Sequence, residues 1–217
     1  MMRAAVIPAW NEATTVAQTV AAIRPLVDEV CVVDDASSDA TFARAAEAGA
    51  RVRRLPRHGG KTAAVMAGLA DTAAPLLLLL DADLGATGAE AQGLLAEVEW
   101  GRADMAIAVL PPSGRAGGRG HAVGLARAGI RRLAGISPLA PLSGQRAVLR
   151  KALHAFRGAR GFGLEVALTI DLVRAGYRVV EVPVAMAHRV GGLGVRDSLH
   201  RAHQMADVAW ALAQRLR

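Results

Sequence analysis

Two carboxylates, Asp81 and Asp83, follow directly on five consecutive leucines, Leu76 to Leu80. An i, i+2 acidic pair offers hard oxygen ligands to a divalent cation and, through it, to an anionic substrate. The competing reading is a polar strand end with one aspartate capping a helix. Asp34 and Asp35 come after another apolar run, Val30 to Val33, and could accept hydrogen bonds from a nucleobase or ribose. Lys61, behind Gly59-Gly60, could reach a phosphate as a point charge. Taken singly, each is explained as well by a cap or a solvated loop. Their joint meaning depends on whether the fold brings them to one edge.

The leucine run has no polar face, as a strand covered on both sides of a parallel sheet requires. Apolar runs at Arg3 to Ile7 (halted by Pro8), Glu29 to Val33, Arg51 to Leu55 and Asp104 to Leu110 read as further strands. Between them lie helical patterns. One is capped by Asn11 with Val16, Val20 and Ile23 on one face; one starts at Ser38 or Asp39 and stops at Gly49. Two more cover Thr62 to Asp71 and Thr87 to Glu99. Strand–helix alternation with short links through the first four units predicts parallel strands and right-handed crossovers, hence a three-layer α/β/α domain with a mostly parallel central sheet. Ligands of such sheets bind at the carboxyl ends of the strands, where Asp34 and Asp81 fall.

Beyond Leu110 the rhythm breaks. Residues 111–120 are rich in Gly and Arg. They form either a lid in which Arg115 and Arg119 close over an anion, or a solvated loop. Helices are predicted over Ala122 to Leu133, Lys151 to Phe156 and Gly163 to Ala175, the last carrying Glu165 and Asp171. Strands are predicted from Ser143 to Leu149 and from Arg178 to Val184, the second followed by His188. A final helix spans Val195 to Leu216. No repeat or boundary divides residues 1–217, which read as one domain: 1–110 for the nucleotide side, 111–194 for the acceptor side, 195–217 for the last helix.

Composition narrows the partners. The net charge of +7 fits an anionic one, but the positive charges are scattered. Aromatic residues make up 3% of the chain, too few for base-stacking platforms, so no nucleic acid is expected. The single cysteine, Cys31, sits in an apolar run and reads as inert core. No apolar segment approaches the roughly 20 residues that span a bilayer. The start shows no leader pattern, so a cytoplasmic chain is expected.

Two phosphate-loop readings fail. Gly60-Lys61-Thr62 imitates a nucleotide-triphosphate loop, but Leu55 stands where that loop needs glycine. Pro8-Ala9-Trp10-Asn11-Glu12 after the first strand lacks every glycine of a dinucleotide turn.

Read in succession, Ile7-Pro8-Ala9-Trp10-Asn11-Glu12, Val33-Asp34-Asp35-Ala36-Ser37-Ser38-Asp39, Gly60-Lys61-Thr62 and Asp81-Ala82-Asp83 resemble the ordered motifs of family 2 glycosyltransferases with the GT-A fold. Leu142-Ser143-Gly144-Gln145-Arg146, Gly161-Phe162-Gly163-Leu164-Glu165 and His188-Arg189 continue the resemblance. These later segments are also similar to acceptor-side motifs of glucosyl-3-phosphoglycerate synthases. The resemblance implies a nucleotide-diphosphate sugar donor, with Pro8, Ala9, Glu12 and Asp34 around base and ribose and Lys61 near the nucleotide. Asp81 and Ala82 would lie near the ribose or sugar. Asp83, with His188, would hold Mg²⁺ or Mn²⁺ against the diphosphate. Ser143, Gly144, Arg146 and Glu165 would face the transferred sugar or an acceptor, which could be a small phosphorylated molecule, a glycan or a lipid phosphate.

One departure concerns the base. Many inverting members carry a Glu-Asp pair, whereas Glu165 stands alone. It is either the base of an inverting reaction or a ligand in a retaining one. A non-catalytic sugar-nucleotide binder of the same fold is the alternative function. The last helix, with Arg196, Arg201, Arg215 and Arg217, could lie on an anionic membrane surface, or pack on the domain or a second copy through Leu199, Met205, Val208, Ala209, Leu212 and Leu216. Trp10, beside the first loop, belongs either at the base or in the core.

Overall fold

The computed structural model describes residues 1–111, 120–188 and 195–216, with side chains in the last segment from residue 203. Arg115, Arg119 and Arg217, and the side chains of Arg196, Arg201 and Leu199, lie outside the described residues.

The chain builds a seven-stranded sheet in the order β3-β2-β1-β4-β6-β5-β7. Its strands are β1 (Arg3–Ala9), β2 (Glu29–Asp34), β3 (Arg51–Arg54), β4 (Leu76–Leu79), β5 (Met105–Val109), β6 (Arg146–Leu149) and β7 (Val179–Pro183). The helices are α1 (Val16–Ile23), α2 (Thr41–Glu47), α3 (Lys61–Ala70), α4 (Gln92–Glu99), α5 (His121–Ala134), α6 (Leu164–Arg174) and α7 (Val195–Ala213).

The leucines alternate as a doubly covered strand must. Leu76, Leu78 and Leu80 enter one core with Val16, Val20 and Leu94, while Leu77 and Leu79 enter the opposite core with Val65, Met105 and Leu168. Full burial of a leucine is worth roughly 1.5–3 kcal/mol as an upper bound, so this short strand anchors both layers.

Details of four kinds differ from the sequence expectation. Pro8 does not halt β1: pairing to β4 covers only Arg3 to Val6, so Pro8 sits where that edge is already open. Asn11 does not cap α1. It takes a left-handed φ of 56° and its Oδ1 accepts the Ser38 N–H at 2.9 Å, tying the loop after β1 to the loop after β2. The segment from Thr87 begins as a 3-10 turn, Gly85–Ala91, before α4, and the helix expected at Lys151 is a 3-10 turn, Arg150–Ala155.

The fourth is direction. β6 pairs antiparallel with both β4 and β5, with Arg146 opposite Leu79. Reversal has a functional consequence: the start of β6 falls at the carboxyl ends of its neighbours. Ser143 to Arg146 is thereby delivered to the same edge as Asp81.

The last helix packs on the domain. Val208 and Leu212 of α7 join Ala126 and Ile130 of α5 and Val166 and Ile170 of α6 in a third core. The helices cross where α5 has Gly129; a β-carbon there would overlap the Leu212 side chain. Arg215, one of the basic residues that suggested a membrane-facing surface, is 1% exposed and paired with Asp171 of α6. It cannot contribute to such a surface. Among the described residues no helix is long and apolar enough to cross a membrane.

Candidate active site

The site grows from the loop after β4. Thr19, fully buried in α1, donates its hydroxyl to the Ala82 carbonyl at 2.9 Å and accepts the Gly85 N–H at 2.8 Å. Both bonds clamp the loop, and Asp81 and Asp83 flank the clamped residue. Asp81 Oδ1 lies 2.6 Å from Lys61 Nζ at the start of α3. Asp81 Oδ2 accepts from Gln145 Nε2 at 2.9 Å. The same amide nitrogen lies 3.0 Å from His188 Nε2, and His188 Nδ1 lies 2.9 Å from Asp83 Oδ1. Asp81, Asp83 and His188 each present a ligand atom, all within 4.8 Å of one another.

On the other side of Lys61, its ammonium lies 2.9 Å from Glu165 Oε1, in the first turn of α6. A continuous polar chain therefore runs Glu165–Lys61–Asp81–Gln145–His188–Asp83 across the carboxyl edge.

Electrostatics follow from this geometry. Burial works against the charged form of Lys61, but Asp81 and Glu165 outweigh it and hold the ammonium above its usual range. Burial likewise opposes the Asp81 carboxylate, and Lys61, His188 and the Gln145 amide overcome it, lowering its pKa. The Asp83 hydrogen bond raises the His188 pKa despite partial burial.

Two carboxylates and one imidazole form a hard, oxygen-rich donor set of the kind Mg²⁺ and Mn²⁺ accept. Gln145 orients both Asp81 and His188, the second layer such sites need. The residues present therefore fit the ion.

Lys61 is placed in part by Asp35, which the sequence offered as an acceptor for a base or ribose but which serves the chain's own backbone. Asp35 spends both oxygens on the turn before α3, accepting the Gly59 N–H at 2.7 Å and the Gly60 N–H at 2.8 Å. Its neighbour Asp34 is different. Oδ1 accepts the Ser37 N–H at 2.9 Å, while Oδ2, fully buried, has no hydrogen-bond partner among the described residues although the Arg54 guanidinium lies 3.3 Å away. Arg54 is thus the counter-charge of the buried Asp34 Oδ2. Nearby, Trp10 is half-exposed and its ring stacks on His58 at 4.4 Å, so it is not a core residue.

The other sequence candidates divide. Pro8 and Gly144 line a small cavity with Lys61, Asp81, Arg146 and Glu165. Gly144 is there of necessity: a β-carbon would overlap Lys61 Nζ and come within 3.0 Å of both Asp81 oxygens. Ala9 and Ala82 are buried and act through their backbones, Ala9 by accepting the Asp35 N–H at 2.9 Å. Glu12 Oε2 accepts the Thr15 hydroxyl at 2.9 Å, at the start of α1. Ser143 accepts Arg146 Nε at its carbonyl, and its own hydroxyl is buried without a hydrogen-bond partner among the described residues.

Arg146 is 1% exposed and turns into the protein, bonded to Thr169 Oγ1 at 3.0 Å. Burial lowers its pKa to about 10 against the pull of Glu165 and Glu181. Its Nη2 and Glu165 Oε2, both without hydrogen-bond partners among the described residues, belong to residues facing the same cavity. Arg146 is thus a buried counter-charge behind Glu165. The arginines expected in a lid, Arg115 and Arg119, fall outside the described residues.

A three-layer α/β/α fold with acidic residues converging at the carboxyl edge of its mostly parallel sheet is the GT-A class of fold. The sequence pattern described as "Glycosyl transferase family 2" matches residues 4–166, and the chain belongs to that family. It is 30% identical over 196 residues to the glucosyl-3-phosphoglycerate synthase of Mycobacterium tuberculosis (strain ATCC 25618 / H37Rv), covering 76% of this chain and 59% of that protein. The chain therefore spans under two thirds of the curated synthase's length. It is 31% identical over 196 residues, 86% of each chain, to an uncharacterized glycosyltransferase of the same strain. The crystal structure of the M. tuberculosis synthase with Mg²⁺ and UDP superposes with a TM-score of 0.82 at 29% identity, over 99% of this chain and 79% of that one. The form with Mn²⁺, UDP-glucose and glycerol 3-phosphate gives 0.80 at 28% identity, over the same shares.

Proposed function

We propose that this protein is a divalent-metal-dependent glycosyltransferase that moves a sugar from a UDP-sugar, glucose in the first instance, to a hydroxyl of a phosphorylated acceptor. The observation that carries this reading is the convergence of Asp81, Asp83 and His188 beside the Lys61–Glu165 pair at one sheet edge.

Asp83, Asp81 and His188 would hold Mg²⁺ or Mn²⁺, which supplies Lewis-acid stabilisation of the departing diphosphate. The remaining work belongs to the chain itself. The choice of a UDP-sugar follows the UDP and UDP-glucose complexes of the similar synthase. Gln145 keeps Asp81 and His188 in register. Lys61, its charge secured by two carboxylates, contributes a fixed positive field where negative charge develops.

Glu165 is 4% exposed and its Oε1 is engaged by Lys61. A general base must point at the proton it takes. Oε1 orients Lys61, while Oε2 has no hydrogen-bond partner among the described residues and belongs to a residue lining the cavity, so Glu165 serves either as the base of an inverting reaction or as a sugar ligand in a retaining one.

Thermal shift with Mn²⁺ and UDP-, GDP- and ADP-glucose tests the donor. A ligand at 100 times its Kd stabilises by about 2.7 kcal/mol, or roughly 5–10 °C for a chain of this size, and only UDP-glucose is expected to reach it. No shift with any sugar nucleotide would refute the reading; a shift without transfer or hydrolysis would favour the non-catalytic alternative.

Gly144→Ala tests the centre of the site. The β-carbon meets Lys61 Nζ and both Asp81 oxygens, so folding stability should fall by about 1–3 kcal/mol. Transfer should fall by ~10–100-fold, because a displaced lysine no longer lies between Asp81 and Glu165. Unchanged steady-state kinetics would show that the position of Lys61 is immaterial.

A further inference from the structure

The last helix reaches the site by a route that no motif reveals. The turn Gly161–Gly163 lies immediately ahead of α6, two residues from Glu165. One side of this turn is fixed to α3: Thr62 donates its hydroxyl to the Gly161 carbonyl at 2.7 Å, next in sequence to Lys61. The other side is fixed to α7, where Asp207 Oδ2 accepts the Phe162 N–H at 3.1 Å.

Both glycines of the turn are shaped around that residue. A β-carbon on Gly161, whose φ is +49°, would overlap Asp207 Oδ2, and one on Gly163 would lie 2.7 Å from the Asp207 carbonyl oxygen. Arg160 completes the grip. Its Nε lies 3.3 Å from Asp207 Oδ1, and its guanidinium stacks 4.9 Å over Trp210, one helical turn further on. At the start of the same segment Arg215 Nη2 donates to the Gly158 carbonyl at 2.9 Å.

We propose that Asp207 is a positioning residue for sugar transfer: by holding the Phe162 N–H it fixes the Gly161–Gly163 turn, and through it the place of Glu165 against Lys61. The proposal rests on the transferase reading of the site. Asp207 itself touches neither Lys61 nor the metal cluster, so it acts only through the turn. The cluster of Asp81, Asp83 and His188 is carried by other elements, and donor affinity should not depend on Asp207.

Two variants and two measurements decide it. In Asp207→Ala the Phe162 N–H loses this carboxylate acceptor; in Asp207→Asn the side-chain oxygen remains. Amide exchange of residues 162–165 in the free protein should quicken by ~10-fold or more in the alanine variant, with residues 208–213 unchanged. The kcat for transfer should fall by ~10-fold or more at a donor KM within about twofold of wild type, and the asparagine variant should restore both to within about threefold. An alanine variant with wild-type kcat, or an asparagine variant as impaired as alanine, overturns the proposal. If the wild-type protein turns over no sugar nucleotide, the transferase reading fails by itself. Exchange at Glu165 then decides the brace alone, and wild-type exchange there in Asp207→Ala overturns it.

Discussion

Asp83→Ala should abolish metal-dependent donor binding and lower sugar transfer by ~10³-fold or more, the scale set by losing several kcal/mol of charge stabilisation on the leaving diphosphate. Of the three cluster ligands, Asp83 is the one whose side chain has, among the described residues, no structural partner besides His188, and it is partly exposed. Asp81, by contrast, also holds Lys61 and Gln145, so replacing it would disturb the whole polar chain. The Asp83 variant is therefore the cleaner probe. In the absence of metal its Tm should stay within about 4 °C of wild type, since an exposed ion pair contributes ~0–1 kcal/mol. Calorimetric titration of UDP with and without Mn²⁺ reads the effect directly. Metal-independent and undiminished binding and turnover in the variant would remove the metal cluster from the mechanism.

Much of this site is legible in the amino-acid sequence, and the reasons are specific. Leu76 to Leu80 has no polar face and reads as a doubly covered strand, which places Asp81 at a sheet edge. The remaining motifs share order and spacing with a known family, which carries Lys61, Asp83, Glu165 and His188 to their places. What escapes the sequence is what depends on direction and on partners far along the chain. A four-residue strand does not reveal its orientation, so the antiparallel β6 that brings Gln145 to Asp81 is invisible there. Thr19 and Asp35 act by bonding backbone groups 63 and 24–25 residues away, and a threonine or aspartate in a loop carries no mark of such a bond. Arg146 shows the same limit from the other side. It stands in an acceptor-side motif, yet its guanidinium is swallowed by the core because Thr169 and the Ser143 carbonyl receive it.

Arg215 is the sharpest case, and it yields the largest expected effect on stability. In sequence it is one more arginine on a basic helix. In the fold its Nε and Nη2 make two bonds, 2.8 and 2.5 Å, to the carboxylate of Asp171, and both side chains are 1% exposed. The Ala211 and Gly158 carbonyls accept further N–H groups of the guanidinium, and the Arg157 N–H donates to Asp171. A buried pair adds little over apolar packing, because desolvating two charges costs about what their attraction returns. Breaking one half is another matter. Asp171→Ala or Arg215→Met leaves an uncompensated buried charge and should cost about 3–5 kcal/mol. For a chain of this length that lowers Tm by roughly 6–20 °C, with a matching drop in urea midpoint. The double variant Asp171→Leu/Arg215→Met should recover most of the loss, since neither charge is then stranded. If each single variant costs under about 1 kcal/mol, water reaches the pair and α7 is held to α6 by its apolar face alone. If the singles are costly and the double variant restores stability, the ion pair fixes where α7 docks more than how strongly. Fixing that position is what a helix bracing the Gly161–Gly163 turn requires.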